Sequence, residues 1–332
     1  MNDDLATAHE PVTSAAAVPE RGRTRSWRAE LTRLAFPLSL VVLLAIGFIG
    51  YPGFRTAENF LNILTFSAIL FIVAVGQTFV VIGRGVDLSV GSMLGLSGAV
   101  FATLVVSGWS TPVAILASLA LGVTVGGVVH GLLITKLRMS FMIVTLGTLA
   151  LLSSQTQVIL NGQSVTVDSS FLDTLANGRL WGVPNIVLLA GALYLAGVMI
   201  LRRTVYGRSL FAVGSNPDAA RLAGVPVDRV TIIAYGLCGL FAALAGILTV
   251  GQLGSAQPTG SATELTSITA VLLGGTGLFG GYGSITRTLF GVVYLGVLEN
   301  LLSIAGVSSF WQGTASGFVL IAAVAVDRTR RP

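Results

Sequence analysis

Long apolar runs alternate with short polar connectors along most of this chain. The runs fall at about 34–50, 61–83, 87–107, 111–135, 140–160, 183–202, 229–252, 265–280, 284–305 and 310–326. A helix that crosses a bilayer needs about 20 mostly apolar residues, and most runs meet or approach that length. The pattern predicts an all-α polytopic membrane protein of about ten transmembrane helices. The shorter runs are expected to include broken or re-entrant segments. Residues 1–33 read as a basic, largely disordered tail, 34–327 as one transmembrane domain, and 328–332 as a second short tail. The arginines before the first run resemble the basic region of a signal peptide. No small-residue cleavage site follows, so the first run is expected to remain as a span.

One connector, about 203–228, is long, polar and finely punctuated. Within it, residues 214–226 read GSNPDAARLAGVP. Ser215 or Asn216 suits a helix N-cap, and Pro217 suits the first helical position, where no N–H is needed. Asp218 complements the positive end of the helix dipole. Gly224 fits the left-handed residue after the helix, and Pro226 forbids its continuation. This predicts a helix of about two turns across Ala219, Ala220, Arg221, Leu222 and Ala223. So short a helix is marginal by itself, and its polarity suits a separate protein partner better than the bilayer.

Charge orients the pattern. With the N-terminus in the cytoplasm and ten spans threaded in turn, all of the 19 Lys and Arg except Arg55 and Arg179 fall on cytoplasmic segments. Such a bias predicts N-in, C-in topology and places the 203–228 connector in the cytoplasm. The longest outside loop is then 161–182, with Asp168, Asp173 and Trp181. It is either a solvated loop or a docking surface for an external partner. The net charge of +5 sits at span ends and does not point to nucleic acid. Composition agrees: 53% of residues are hydrophobic, 10% are charged, and mean hydropathy is +0.86. The 41 glycines suit close helix packing in lipid. Cys238 is the one cysteine, so no intrachain disulfide forms. His130 has no second ligand nearby in sequence and reads as a packing residue or a local hydrogen-bond former.

Several polar motifs remain. Residues 83–92, GRGVDLSVGS, put Asp87 at the edge of a span, where an unpaired carboxylate is costly. Arg84, Ser89 and Ser92 are its near donors. The expected role is a cap on the third span with Leu88 as its first residue, and a gating role is the alternative. Gly83, Gly85, Gly91 and Ser92 recur at one constant offset as Gly275, Gly277, Gly283 and Ser284, a weak internal repeat. The second junction, GGTGLFGGYGS (274–284), includes Gly281. It lacks the Lys-Ser/Thr of a nucleotide P-loop, so its glycines read as close backbone approach or a broken helix. Inside the spans, Gln77, Thr78, Thr145, Thr148, Gln155, Glu299 and Asn300 are translocation-path candidates. Each alone reads first as a former of interhelical hydrogen bonds and only second as a substrate ligand. No span centre carries a conspicuous charge of the kind proton- or sodium-coupled carriers use, and no hydrolase or metal motif appears. A secondary carrier or channel is therefore the weaker reading, and an enzyme weaker still.

These motifs together resemble the permease subunits of bacterial ABC importers for ribose, xylose and related simple sugars. The segments are GRGVDLSVGS (83–92), YGRSLFAVGSNPDAARLAGVPVDRV (206–230), TELTSITAVLLGGTGLFGGYGSI (263–285) and GVSSFWQ (306–312). The likeness runs from about residue 35 to 327. It implies a multi-pass protein of the bacterial inner membrane that pairs with a second permease chain, identical or paralogous. It implies two ATP-binding-cassette subunits that carry ATP and magnesium, with no cofactor on this chain, and an extracytoplasmic sugar-binding protein. Residues Asn216 to Gly224 would be the ATPase-docking element. The chain departs from the family pattern at Arg84, where a glycine is usual, at Thr266, where an acidic residue is common, and at Tyr282, where arginine is common. Related permeases for branched amino acids, nucleosides or a furanone signal remain alternatives for the solute.

Overall fold

The computed structural model describes residues 27–258 and 263–308, with isolated positions between 311 and 321. The residues before 27, most of the predicted span at 310–326 and the C-terminal tail lie outside the described residues.

The chain is helical along most of its described length. In order come α1 (Trp27–Gly50), a 3-10 turn (Pro52–Arg55), α2 (Ala57–Ile82), α3 (Val90–Val106) and α4 (Thr111–Val123). A π-helical turn (Thr124–His130) carries α4 into α5 (Gly131–Thr135), and α6 (Phe141–Ile159) follows. The next segments are β1 (Val165–Thr166), α7 (Ser170–Asn177), β2 (Arg179–Leu180), β3 (Val183–Pro184), α8 (Asn185–Arg203), α9 (Val205–Ser215) and α10 (Pro217–Leu222). The chain continues through α11 (Val227–Leu253), β4 (Ser255–Ala256), α12 (Thr263–Leu273) and α13 (Ile285–Ile304).

Among the described residues six helical stretches are long and apolar enough to cross a membrane: α2, α4 to α5, α6, α8, α11 and α13. Three shorter apolar helices, Leu38–Gly50, α3 and α12, match three more of the predicted runs. The run expected at 265–280 is corrected: α12 stops at Leu273 and residues 274–284 are loop. At 1.5 Å per residue, α12 is only about 16 Å long, roughly half a hydrocarbon core.

Helices α2 and α11 form the centre. In their apolar windows 78% and 67% of residues are buried, against 28%, 28% and 22% for α4–α5, α6 and α8. The reason is in the sequence: apart from Gln77 and Thr78, α2 from Ser67 to Ile82 is apolar or small all round, the signature of a helix enclosed by others. The peripheral helices turn residues such as Leu116, Leu151, Leu195 and Met199 outward, as lipid contact requires. Glycine lets the central pair approach: a Cβ on Gly76 would stand 2.9 Å from the Cα of Cys238. Gly122 and Gly126 do the same for α4 and the π turn against Gly239 and the Tyr235 carbonyl.

Segments assigned to one side by charge also meet in space. The loop after α6 and the loop after α11 pair through β1 and β4, with Val165 opposite Ala256 and Thr166 opposite Ser255. Between them α7, capped by the Ser169 hydroxyl on Leu172 N, buries Leu172 and Ala176 against Gly251 at the end of α11. The β2–β3 hairpin turns at Trp181 (φ 52°) and Gly182 (φ 83°) and leaves Trp181 almost wholly exposed. Arg179 in this hairpin clasps Glu58 at the start of α2 with two bonds, 2.5 and 3.2 Å. At the opposite end, Lys136 meets Asp228 at 2.8 Å and Arg221 lies 3.8 Å from the same carboxylate.

Candidate functional site

The predicted two-turn helix is present as α10. Asn216, rather than Ser215, is its cap: the Asn216 side-chain oxygen accepts from Asp218 N and Ala219 N, both at 3.0 Å. Pro217 occupies the first turn. At the far end Gly224 adopts φ 81°, its N–H donates to Arg221 O, and Val225 N donates to Ala220 O, each at 3.0 Å. That is the paired-bond helix stop in which glycine takes the left-handed position. The faces differ sharply. Ala220 is buried among core residues, so it anchors the helix rather than facing a partner. Asn216, Asp218, Ala219, Arg221, Leu222, Ala223 and Gly224 are exposed, and Leu222 is 91% exposed. Arg221, between Asp218 (3.6 Å) and Asp228 (3.8 Å), ties this helix to the first turn of α11.

Asp87 is buried in a polar cluster assembled from four segments. Its Oδ1 accepts from Ser89 N (2.9 Å) and Ser89 Oγ (2.7 Å). Its Oδ2 lies 3.5 Å from Nδ1 of His130, which ends the π turn. Gln77 on α2 holds the Asp87 backbone, donating to its carbonyl (2.8 Å) and accepting from its N–H (3.3 Å). Cys238 on α11 donates its thiol to the Gln77 carbonyl oxygen at 3.6 Å, and the Tyr235 ring meets His130 edge-on at 5.9 Å. All of these side chains are buried.

The expected roles at this junction shift in two respects. Helix α3 begins at Val90 rather than Leu88, because the Asp87 side chain bonds two residues ahead and spends Leu88 and Ser89 on a turn. Arg84 is not the Asp87 donor: it is exposed, at φ 71°, and the side chain that faces the Asp87 carboxylate from across the fold is His130. Ser92 donates to the Ser89 carbonyl instead. Sequence carries no direct signal for the His130 contact, since α4 and the π turn must first be laid beside α2.

The two glycine junctions share one backbone device. Arg84 N donates to Val81 O and Gly85 N to Val80 O; Gly275 N donates to Leu272 O and Thr276 N to Val271 O. Arg84 and Gly275 (φ 82°) are the left-handed residues of the two stops. The junctions touch through Gly281 N, which donates to Ile82 O at 2.9 Å, and through Gly280, which packs on the Arg84 backbone. Gly283 packs on Ile82 and Thr276, while Gly91 lies buried in the first turn of α3.

The path candidates do not converge. Gln77 serves the Asp87 turn. Thr78 bonds Thr288 of α13 at 2.8 Å. Thr145 and Thr148 donate to carbonyls of their own helix, Phe141 O and Val144 O. Gln155 is exposed on α6. Asn300 exchanges two hydrogen bonds with Asn59, 3.1 and 2.8 Å, joining the ends of α13 and α2. Glu299 alone lines a cavity, of about 310 Å³, with Phe66, Ile69, Leu70, Thr263 and Thr266. Among the described residues no group of three or more His, Cys, Asp or Glu side chains is placed to hold a metal ion.

Comparison with known proteins places this architecture. Residues 59–324 match the family model described as "Branched-chain amino acid transport system / permease component". The chain is similar to the ribose import permease protein RbsC of Escherichia coli (strain K12), 42% identical over 313 residues, 93% of this chain and 96% of that protein. It is 39% identical to RbsC of Bacillus subtilis (strain 168), over 88% of this chain and 92% of that one. It is 36% identical to the fructose import permease protein FrcC of Rhizobium meliloti, over 89% and 85%. No solved structure matches the chain. The chain belongs to this family of transport-system permease components and is a membrane transport subunit, not an enzyme.

Proposed function

We propose that the chain forms the translocation path of an ATP-driven importer for a simple sugar, and that residues 216–224 dock a separate ATPase in the cytoplasm. The ribose and fructose permeases among its relatives support the sugar reading over the amino acids in the family's title. The observation that carries the docking assignment is α10 itself. It is capped at both ends, anchored through Ala220 and Arg221, and presents a bare leucine to water on the side richest in cations. An exposed Leu222 beside Asp218 suits a shallow groove on a protein partner.

On this reading the N- and C-termini are cytoplasmic and the described helices plus the 310–326 run make up about ten membrane-embedded segments. Two permease chains, two ATPase subunits that hold ATP and magnesium, and an extracytoplasmic sugar-binding protein complete the importer. The hairpin with Trp181 then faces the binding protein.

Co-purification tests the reading. Co-expressed with a candidate ATP-binding-cassette subunit, the wild-type chain is expected to retain that subunit in mild detergent, and Leu222→Glu to lose it while staying monodisperse. Ala220→Glu is the wrong variant, because it strikes the core. If Leu222→Glu holds the ATPase as well as wild type, the docking face is elsewhere. If the wild type binds no ATPase yet moves solute in liposomes, the chain is a secondary carrier.

A further inference from the structure

A carboxylate at membrane depth is costly, and the buried Asp87 is served by Ser89 and His130. Glu299 is different. It lies on α13, about one and a half turns short of the end at Ile304, half-buried, and has no hydrogen bond or ion pair among the described residues. Its neighbour Asn300 points another way, locked to Asn59. Glu299 opens instead onto the 310 Å³ cavity between α2, α12 and α13. Phe66 also lines this cavity and is 76% exposed, so its ring is not consumed by core packing. Thr263 and Thr266 bring hydroxyls from the start of α12. The volume sits at the lower end of the range for small-molecule sites. It lies in the half of the molecule that holds the Glu58–Arg179 clasp, which the charge pattern puts outside.

We infer that Glu299 and Phe66 form a carbohydrate contact in the outer half of the path. An ionised carboxylate only accepts hydrogen bonds, through two oxygens side by side. Neighbouring hydroxyls of a sugar are donors at matching spacing, and charge-assisted bonds of this kind are the strong ones. An aromatic ring with a free face suits the apolar C–H face of the same sugar. The sugar would thus supply the partner that Glu299 lacks, while Thr263 and Thr266 bound the site on the α12 side. This site deepens the sugar-importer reading and rests on it.

The test uses the whole importer in proteoliposomes, with its ATPase and binding protein, and a panel of radiolabelled pentoses and hexoses as probes. ATPase co-purification is measured on every sample. Glu299→Gln and Phe66→Ala are each expected to cut uptake of the transported sugar at least tenfold, with assembly unchanged. Phe66→Tyr, which keeps the ring, is expected to retain most of it. Three results overturn the site: Glu299→Gln transporting at the wild-type rate, Phe66→Ala and Phe66→Tyr behaving alike, or Glu299→Gln losing the ATPase, which would make Glu299 a folding residue. A wild type that holds its ATPase but moves no sugar of the panel overturns the carbohydrate assignment. One that holds no ATPase overturns the importer reading instead.

Discussion

His130 brings its Nδ1 to 3.5 Å from Oδ2 of Asp87, joining the π turn after α4 to the loop between α2 and α3. Both side chains are buried; Asp87 also accepts from Ser89, whereas the Asp87 carboxylate is the one charged group His130 meets among the described residues. Removing one partner of such a pair leaves the other stranded. His130→Ala and Asp87→Ala are each expected to destabilise the protein by about 3 kcal/mol. The double variant should fall well short of the sum, which a double-mutant cycle on thermal unfolding in detergent measures. Additive losses would show that the two residues act independently.

Arg84 holds φ 71° at the end of α2, a left-handed conformation that costs an L-residue about 1–2 kcal/mol. Its side chain is exposed and is not the Asp87 donor. Arg84→Gly removes the strain and gives back part of the gain as unfolded-chain entropy. The expected net is a stabilisation of up to about 1 kcal/mol, read as a rise in Tm with transport unchanged.

Gly126 and Gly239 let the π turn and α11 meet backbone to backbone. A Cβ on Gly126 would collide with the Tyr235 carbonyl, and one on Gly239 with the Gly122 carbonyl. Gly126→Ala or Gly239→Ala is expected to cost roughly 2 kcal/mol through overpacking. Gly147, on the peripheral α6, has nothing within 4 Å. Gly147→Ala should therefore leave Tm unchanged or raise it slightly, and the contrast separates backbone contact from helix propensity.

Asn300 and Glu299 are adjacent yet serve different ends. Asn300→Ala leaves Asn59 short of a partner and is expected to cost about 1–2 kcal/mol. Uptake per folded molecule should be preserved. A specific transport defect in a stably folded Asn300→Ala would move that residue from scaffold to path.

How legible all this is in the sequence depends on the range of the interaction involved. The ends of α10 are readable because Asn216, Pro217 and Gly224 act on their own backbone neighbours. The core status of α2 is readable because from Ser67 to Ile82 it is apolar or small all round except at Gln77 and Thr78. The run at 265–280 misleads because glycines, leucine and phenylalanine read as apolar to a hydropathy window, whereas Gly274 and Gly275 end the helix by backbone geometry. The helix stop shared by the two junctions does not keep the register of the glycine repeat. It aligns Arg84 with Gly275, one residue away from the glycine match in sequence. Pairing of His130 with Asp87, and the placing of Phe66 beside Glu299, depend on helices meeting across the fold, which no local pattern encodes.

Cys238 has one further consequence. Its thiol is 1% exposed and turned onto Gln77 between α2 and α11, and it is the only thiol of the chain. Toward water-soluble sulfhydryl reagents the native protein is chemically blank. A cysteine introduced at Leu222 or at Trp181 would therefore be the sole labelled position, so each end of the molecule can report its exposure and motion without any background to remove.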